Sequence, residues 1–317
     1  MKGYKTVGFE HKDENENEYT VPLGLKQYFT VVQDEFRLMH LLAFIFHNTG
    51  KKVIVFASTC DTVNLIELFL KGFRFLSDQV LFQGKVYKLH GKMKHNERKV
   101  IFKDFNKNEP GILICTDVVA RGLDFPLVDW IVHYDINPDP KDYLNRMGRT
   151  ARLDQTGNSI LFLMDHERKI IDTCLSKFKI EEYKPSKILL SFVKSFNEYM
   201  KSNDQKRIEE AQRHQGGLEG EEENITPFFP IDCTPQPYDD EDDDNERYRK
   251  KYIFIIYPLQ KAIKDFIFES RDNLILGKQA FKSSLKSYGT FLKYQKDVFN
   301  VKNINLSRYV SSNITIY

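Results

Sequence analysis

Lys52-Val53-Ile54-Val55-Phe56-Ala57-Ser58-Thr59 decides how the chain folds. Val53 to Phe56 is an unbroken apolar, mostly β-branched run, short for a helix and suited to a strand buried on both faces. The hydroxyls of Ser58 and Thr59 stand where they can cap a helix over Asp61–Lys71. A strand that hands over to a helix through a capping turn is half of a βαβ unit. The same alternation runs outward in both directions. Upstream, Leu25–Val32 reads as a strand and Phe36–His47 as a helix, with Leu38, Leu41, Leu42 and Ile45 at helical spacing. Downstream, strands at Val86–Leu89, Ile112–Cys115, Trp130–Tyr134 and Asn158–Met164 alternate with helices at Asn96–Phe105, Pro140–Gly148 and His166–Phe178. This predicts an α/β fold, a parallel sheet with helices on both faces. Ligands of such sheets gather at the carboxyl ends of the strands.

The 317 residues are 41% hydrophobic and 29% charged, enough for a real core, which excludes collagen-like, mucin-like and wholly disordered chains. Apolar runs such as Leu41–Phe46 fall far short of the roughly 18–20 residues that span a bilayer. Met1-Lys2-Gly3-Tyr4 leads into polar sequence with no secretory apolar region, so neither membrane nor secretion is expected. Cys60, Cys115, Cys174 and Cys233 lie far apart, without a C-x-x-C pair, which argues for reduced, buried thiols in an intracellular compartment. His90 and His95 lack a third ligand at usable spacing, so no metal site is expected.

The net charge of +2 conceals a split. Glu219–Glu246 holds twelve acidic residues and no Lys or Arg, whereas Lys251–Tyr317 holds eleven basic and four acidic residues. From 202 to 250 periodicity is lost, which reads as a linker. After it Tyr252–Tyr257 is strongly apolar, and helical patterning runs to Phe266 and again from Gln279 to Tyr294. An acidic tether between two basic bodies suits a polyanion partner.

Three clusters at strand ends carry the chemistry. Asn145-Arg146-Met147-Gly148-Arg149-Thr150-Ala151-Arg152 spaces three arginines beside a glycine. Guanidinium groups are planar, permanently charged and suited to charge developing on a transferred phosphoryl group, although a solvated basic helix face reads the same way. Thr116-Asp117-Val118-Val119-Ala120-Arg121-Gly122-Leu123-Asp124 packs a hydroxyl, two carboxylates, an arginine and a glycine directly behind a buried strand; a capped turn is the plainer reading. His90-Gly91-Lys92-Met93-Lys94-His95-Asn96-Glu97-Arg98 offers backbone N–H groups and a basic helix start, both suited to phosphates.

In that order the blocks Val53–Cys60, His90–Arg98, Thr116–Asp124 and Asn145–Arg152 resemble motifs IV, IVa, V and VI of the DEAD-box RNA helicases. The resemblance covers residues 21–185, the second of that family's two RecA-like domains. Residues 1–20 then read as a disordered or cut end, 186–250 as a helix followed by an acidic linker, and 251–317 as a small, mostly helical, basic C-terminal extension. Gly277–Val301 resembles the extension of ribosome-biogenesis members, and together with Leu25–Val32 and Leu127–Tyr134 it suggests the large-subunit assembly subgroup.

The resemblance implies that Arg149 and Arg152 are catalytic arginine fingers reaching the γ-phosphate, with Gly148 permitting the close approach. It implies that Asp124 contacts the ribose, with Gly122 beside it in the nucleotide site, and that Thr116, Arg98, the Gly91 backbone and Ser58 hold the RNA sugar–phosphate chain. Arg121 and Arg146 either join them or form internal ion pairs. ATP with Mg²⁺ is the implied cofactor, bound mainly by a first RecA-like domain. RNA (pre-ribosomal RNA), that first domain and pre-ribosomal proteins are the implied partners, in the nucleus and nucleolus. Three positions depart from the family pattern: Asn145 replaces a His that couples the two domains, His95 replaces a Gln, and Val119 an Ala.

Phosphate loops of the form G-x-x-x-x-G-K-[ST] are not found. The Gly-Lys pairs at 50–51, 84–85, 91–92 and 277–278 are followed by Lys52, Val86, Met93 and Gln279. Asp240-Glu241-Asp242-Asp243 matches D-E-x-D formally, but no apolar strand precedes it to aim carboxylates at a metal. The chain is therefore expected to be the C-terminal half of an ATP-dependent RNA helicase, inactive as an ATPase alone. The alternative is a non-catalytic RNA- or ribonucleoprotein-binding module that keeps the fold. Lys278, Lys282 and Lys286, at i, i+4 and i+8, add either a basic rail for RNA or a solvated face over the stripe Phe281, Leu285, Tyr288 and Leu292.

Overall fold

The computed structural model describes residues 24–77, 79–107, 110–117, 127–137, 139–148, 150, 156–214, 253–290 and 298–304, with the backbone alone for 204–214 and 301. Among these residues seven parallel strands form one sheet: β1 Leu25–Val31, β2 Lys52–Phe56, β3 Val86–Leu89, β4 Gly111–Cys115, β5 Trp130–His133, β6 Gly157–Leu163 and β7 Glu181–Glu182. Their order is β3-β4-β2-β5-β6-β1-β7. The helices are α1 Arg37–His47, α2 Cys60–Gly72, α3 His95–Asn106, α4 Pro140–Met147, α5 Pro185–His214, α6 Ile253–Phe268 and α7 Arg271–Tyr288.

β2 explains why both faces of the sheet are covered. Val53 and Val55 point into one core and Ile54 and Phe56 into another, and all four are fully buried. The first core gathers α1, α2, α5 and α6; in the second, Leu89, Leu113 and Ile131 meet Phe105 of α3. A third cluster joins Leu161 and Leu163 of β6 to Tyr143 and Met147 of α4. α2 begins as its sequence directs, with the Thr59 hydroxyl accepting from the Thr62 N–H at 3.1 Å.

α1 carries a buried histidine. His40 Nδ1 lies 2.8 Å from the Phe36 carbonyl, so this nitrogen donates, and burial lowers the ring pKa to about 4. The folded ring refuses a proton that the unfolded chain accepts below about 6.5. Stability from this group is therefore present above that pH and is lost on acidification towards pH 4, at about 1.4 kcal/mol per pH unit. Urea unfolding at several pH values should show a shallower acid loss in His40→Gln than in the native chain.

Three sequence expectations need correction. His166–Phe178 is not an α-helix but a 3₁₀ segment, Asp165–Ile170, followed by turns. The buried Glu167 carboxylate accepts from the Met164 N–H at 2.9 Å, and the Ile171 and Asp172 amides bond three residues back, which tightens the winding. The loss of pattern at 202 does not end α5, whose helical backbone runs to His214; residues 215–250 of the expected linker lie outside the described residues. The last described helix starts at Arg271, not Gln279, because the Ser270 hydroxyl accepts from the Asn273 N–H at 3.1 Å and caps it there.

The C-terminal helices do not form a second body. Ile255, Ile256, Leu259, Ile263 and Ile267 of α6 belong to the largest core, and Phe266 packs on Phe69 and Phe73 at ring separations of 5.0 and 5.7 Å. α7 lies on α2, where the Ser283 and Ser284 hydroxyls meet those of Thr59 and Thr62 at 2.9 and 3.0 Å. No helix among the described residues is long and apolar enough to cross a membrane.

Candidate functional site

The carboxyl ends of β3, β4, β2 and β5 stand side by side, and each of the first three is followed by a residue singled out from sequence. Gly91 comes two residues after β3, Thr116 directly follows β4, and Ser58 follows β2. Gly91 is exposed, and a Cβ built there would meet nothing within 4 Å. Nothing in the fold demands a glycine at that point, which leaves its open side to a ligand. The neighbouring His90 ring is held to Asn64 at 3.2 Å and its pKa is lowered by burial, so it stays neutral near pH 7.

Thr116 is 6% exposed, and its Oγ1 is buried without a hydrogen-bond partner among the described residues. Its backbone N–H bonds the Leu89 carbonyl at 3.2 Å and so extends the β3–β4 ladder by one step. An unpaired buried hydroxyl is costly, and a ligand oxygen would satisfy it. Arg98 is half-buried in α3, and its Nε likewise lacks a partner among the described residues.

The centre of the site is Arg146, 2% exposed. Its Nε and one terminal nitrogen donate to both carboxylate oxygens of Asp117 at 2.7 Å, and the other terminal nitrogen donates to the Asp135 carbonyl at 2.8 Å. The guanidinium also stands 4.9 Å from the Phe56 ring centre. His133 Nδ1 lies 3.3 Å from the same guanidinium, which can only donate. That nitrogen therefore accepts, and burial together with the arginine's charge pushes the ring pKa well down. Of the two roles open to Arg146, the internal ion pair is the one it fills; Arg121 lies outside the described residues.

Sequence reading passed over Asp135, which organises the β2 and β5 tips. One carboxylate oxygen accepts from Arg37 at 3.0 Å and the other from the Ser58 N–H at 2.8 Å. The signal was an acidic residue directly behind the apolar run Trp130–Tyr134. Ser58 is half-buried and faces a cavity of about 20 Å³, room for one water, lined also by Arg37, Asp135, Ser284 and Tyr288.

Arg149, Arg152, Asp124 and Gly122 lie outside the described residues. Arg146 holds Asp117, just before the stretch 118–126. Thr150, fully buried, donates from its hydroxyl to the Val128 carbonyl at 2.6 Å, just after that stretch. The end of α4 is thus tied both to Asp117, behind β4, and to Val128, ahead of β5. Gly148 caps α4, its N–H bonding the Leu144 carbonyl at 2.8 Å, and Asn145 is exposed. Lys278 is half-buried and Lys282 and Lys286 are exposed along α7, away from the Ser283 and Ser284 contacts, while Phe281, Leu285 and Tyr288 pack inward. Leu292 lies outside the described residues.

The helicase conserved C-terminal domain family matches residues 36–154, and the family described as the ATP-dependent rRNA helicase SPB4-like C-terminal extension matches residues 270–312. The chain carries a helicase conserved C-terminal domain. The human ATP-dependent DNA helicase DDX31 is 29% identical over 93% of the chain and 32% of its own length. The probable ATP-dependent RNA helicase ddx18 of Dictyostelium discoideum is 40% identical over 54% of the chain and 27% of its length. The ATP-dependent RNA helicase HAS1 of Candida glabrata is 36% identical over 60% of the chain and 37% of its length. The chain spans about a third of these helicases. Among solved structures, Mss116p DEAD-box helicase domain 2 bound to an RNA duplex matches over 57% of this chain and 75% of that one, at 26% identity and a TM-score of 0.43, a likeness that adds nothing to the assignment.

Within this helicase domain the tips of β2, β4 and β5 are cross-braced by two buried guanidinium groups, Arg37 and Arg146, each paired with a carboxylate. Such a brace fixes strand-end loops in register, which suits them to a ligand that must be met by several loops at once.

Proposed function

We propose that this chain supplies the C-terminal lobe of an ATP-dependent RNA helicase that remodels ribosomal RNA. The supporting observation is the double fastening at the end of α4, through Arg146 to Asp117 and through Thr150 to the Val128 carbonyl, which joins the described residues around the two arginine- and carboxylate-bearing motifs. Arginines that complete a phosphoryl-transfer site and a carboxylate for the ribose have to act on one nucleotide, and a tie between their motifs serves that. The residues suit a nucleotide: Asp124 would accept from the ribose hydroxyls and the two arginines would neutralise the terminal phosphates. ATP with Mg²⁺ would supply the free energy for closing the two lobes. The phosphate loop and the carboxylates for Mg²⁺ belong to a companion RecA-like lobe, so this chain alone has no ATPase activity.

RNA is held by Gly91, Arg98, Thr116 and Ser58 at neighbouring strand tips, with Lys278, Lys282 and Lys286 as a further basic contact from α7. These groups address phosphate and sugar, so binding is indifferent to sequence. The match of residues 270–312 to the rRNA helicase extension supports pre-ribosomal RNA as substrate, pre-ribosomal proteins as neighbours and the nucleolus as location. Thr116→Val tests the contact: it keeps the shape and removes a hydroxyl that has no partner among the described residues. Its melting temperature should match the native chain while affinity for single-stranded RNA, read by fluorescence anisotropy, falls about tenfold, the worth of one hydrogen bond to a charged group. Unchanged affinity would remove Thr116 from the interface.

A further inference from the structure

Contacts at the strand tips use only the first turn of α3, yet the whole outer edge of the sheet is basic. Residues 85–107 hold eight basic and two acidic side chains, in a chain whose net charge is only +2. β3 is the edge strand, and α3 lies over its face with Phe105 buried beneath. Of the two acids of this edge, Glu97 stands in the first turn of α3, and neither pairs with Lys99 or Lys103 among the described residues. Asp104 is occupied by Lys107 at 2.7 Å and Tyr87 at 2.9 Å, while Lys88 and Lys92 are taken up by Glu67 and Asp61 of α2. Lys99 and Lys103 are exposed, on one side of the helix about 6 Å apart along its axis, and neither has an ion-pair partner among the described residues. Lys94 is exposed at the N-terminal cap, between Gly91 and the helix.

We propose that the solvent face of α3, Lys94, Lys99 and Lys103, is a phosphate track that carries RNA onward from the strand tips along the edge of the sheet. The inference rests on the RNA-binding reading above and extends it: the partner is an RNA strand too long to end at Gly91 and Arg98. α3 spans about 18 Å, room for several nucleotides beyond the strand-tip contacts. Lysines held apart from carboxylates contribute by releasing counterions from phosphates, without reading bases. Val100, 68% exposed beside Lys99, offers no hydrogen bond to a base edge, consistent with contact to the backbone alone.

The test uses the full chain, the double variant Lys99→Gln/Lys103→Gln, and single-stranded RNAs of about six and about twenty nucleotides, with affinity measured against salt. The native chain should bind the longer RNA more tightly and with a steeper salt dependence. In the variant, the slope of log affinity against log salt for the longer RNA should fall by about 1.4, roughly 0.7 for each phosphate that a lysine no longer neutralises. The short RNA should be unaffected. A control, Lys261→Gln/Lys264→Gln on α6, should leave both slopes unchanged. Equal losses for both RNAs, equal losses in the control, or an unchanged slope for the longer RNA would overturn the track while leaving the strand-tip site standing. Failure of the native chain to bind either RNA at low salt would overturn the RNA reading itself.

Discussion

Arg146→Ala should lower the unfolding free energy by about 3–5 kcal/mol and the melting temperature by roughly 10 °C, the largest stability loss expected from any single side chain at this site. The reason is what the deletion leaves behind. Asp117 would lose both of its charge-assisted bonds, the Asp135 carbonyl its donor, and Phe56 the cation above its ring, all at the junction of three strands. His133, kept neutral by burial and by the arginine, would lose a donor to its Nδ1. Arg146→Lys keeps a charge but not the two-pronged geometry, so it should recover only a minor part. Replacing both members, Arg146→Met with Asp117→Leu, should be milder than Arg146→Ala alone, because no unpaired charge remains buried. Thermal unfolding of the three variants checks the order, and a double replacement worse than the single would refute the ion-pair account.

Arg149→Ala and Arg152→Ala should leave the stability of the chain within about 0.5 kcal/mol of native, because in this reading both arginines act on the nucleotide and not on the fold. In a two-lobe protein made by joining this chain to a RecA-like lobe with a phosphate loop, either should lower the RNA-stimulated kcat about 10³-fold, the range for an arginine that meets charge developing on a transferred phosphoryl group. RNA affinity in the absence of nucleotide should be nearly unchanged. Arg146→Ala, in contrast, should impair folding and turnover together. Steady-state ATP hydrolysis paired with anisotropy separates the two kinds of arginine. Loss of RNA affinity matching the loss of turnover would place Arg149 and Arg152 on the RNA instead.

Six strands of the parallel sheet were legible because they are short, mostly apolar runs; Lys52–Phe56 begins and ends as its pattern predicts, whereas the exposed pair Glu181–Glu182 of β7 carries no such pattern. What pattern could not reveal depended on contacts distant in sequence or on side chains turning back. The 3₁₀ winding of Asp165–Ile170 follows from Glu167 reaching the Met164 amide, and periodicity does not encode that. The apolar face of α6 was visible as a stripe, but its place in the main core depends on α1 and α2, nearly two hundred residues away. At the site, spacing drew attention to all three arginines of Asn145–Arg152 without ranking them. Only the position of Asp117 beyond the neighbouring strand makes Arg146 a brace. Asp135 escaped notice because a lone carboxylate after a strand resembles any turn; its partners Arg37 and Ser58 lie 98 and 77 residues away.

The most direct measurement is ATP hydrolysis by this chain, alone and joined to a lobe bearing a phosphate loop, with and without single-stranded RNA. A composite site split between two lobes predicts no RNA-stimulated turnover from the chain alone and clear turnover from the joined protein, abolished by removing Arg149 or Arg152. Robust hydrolysis by the chain alone, or a joined protein indifferent to both arginines, would contradict it.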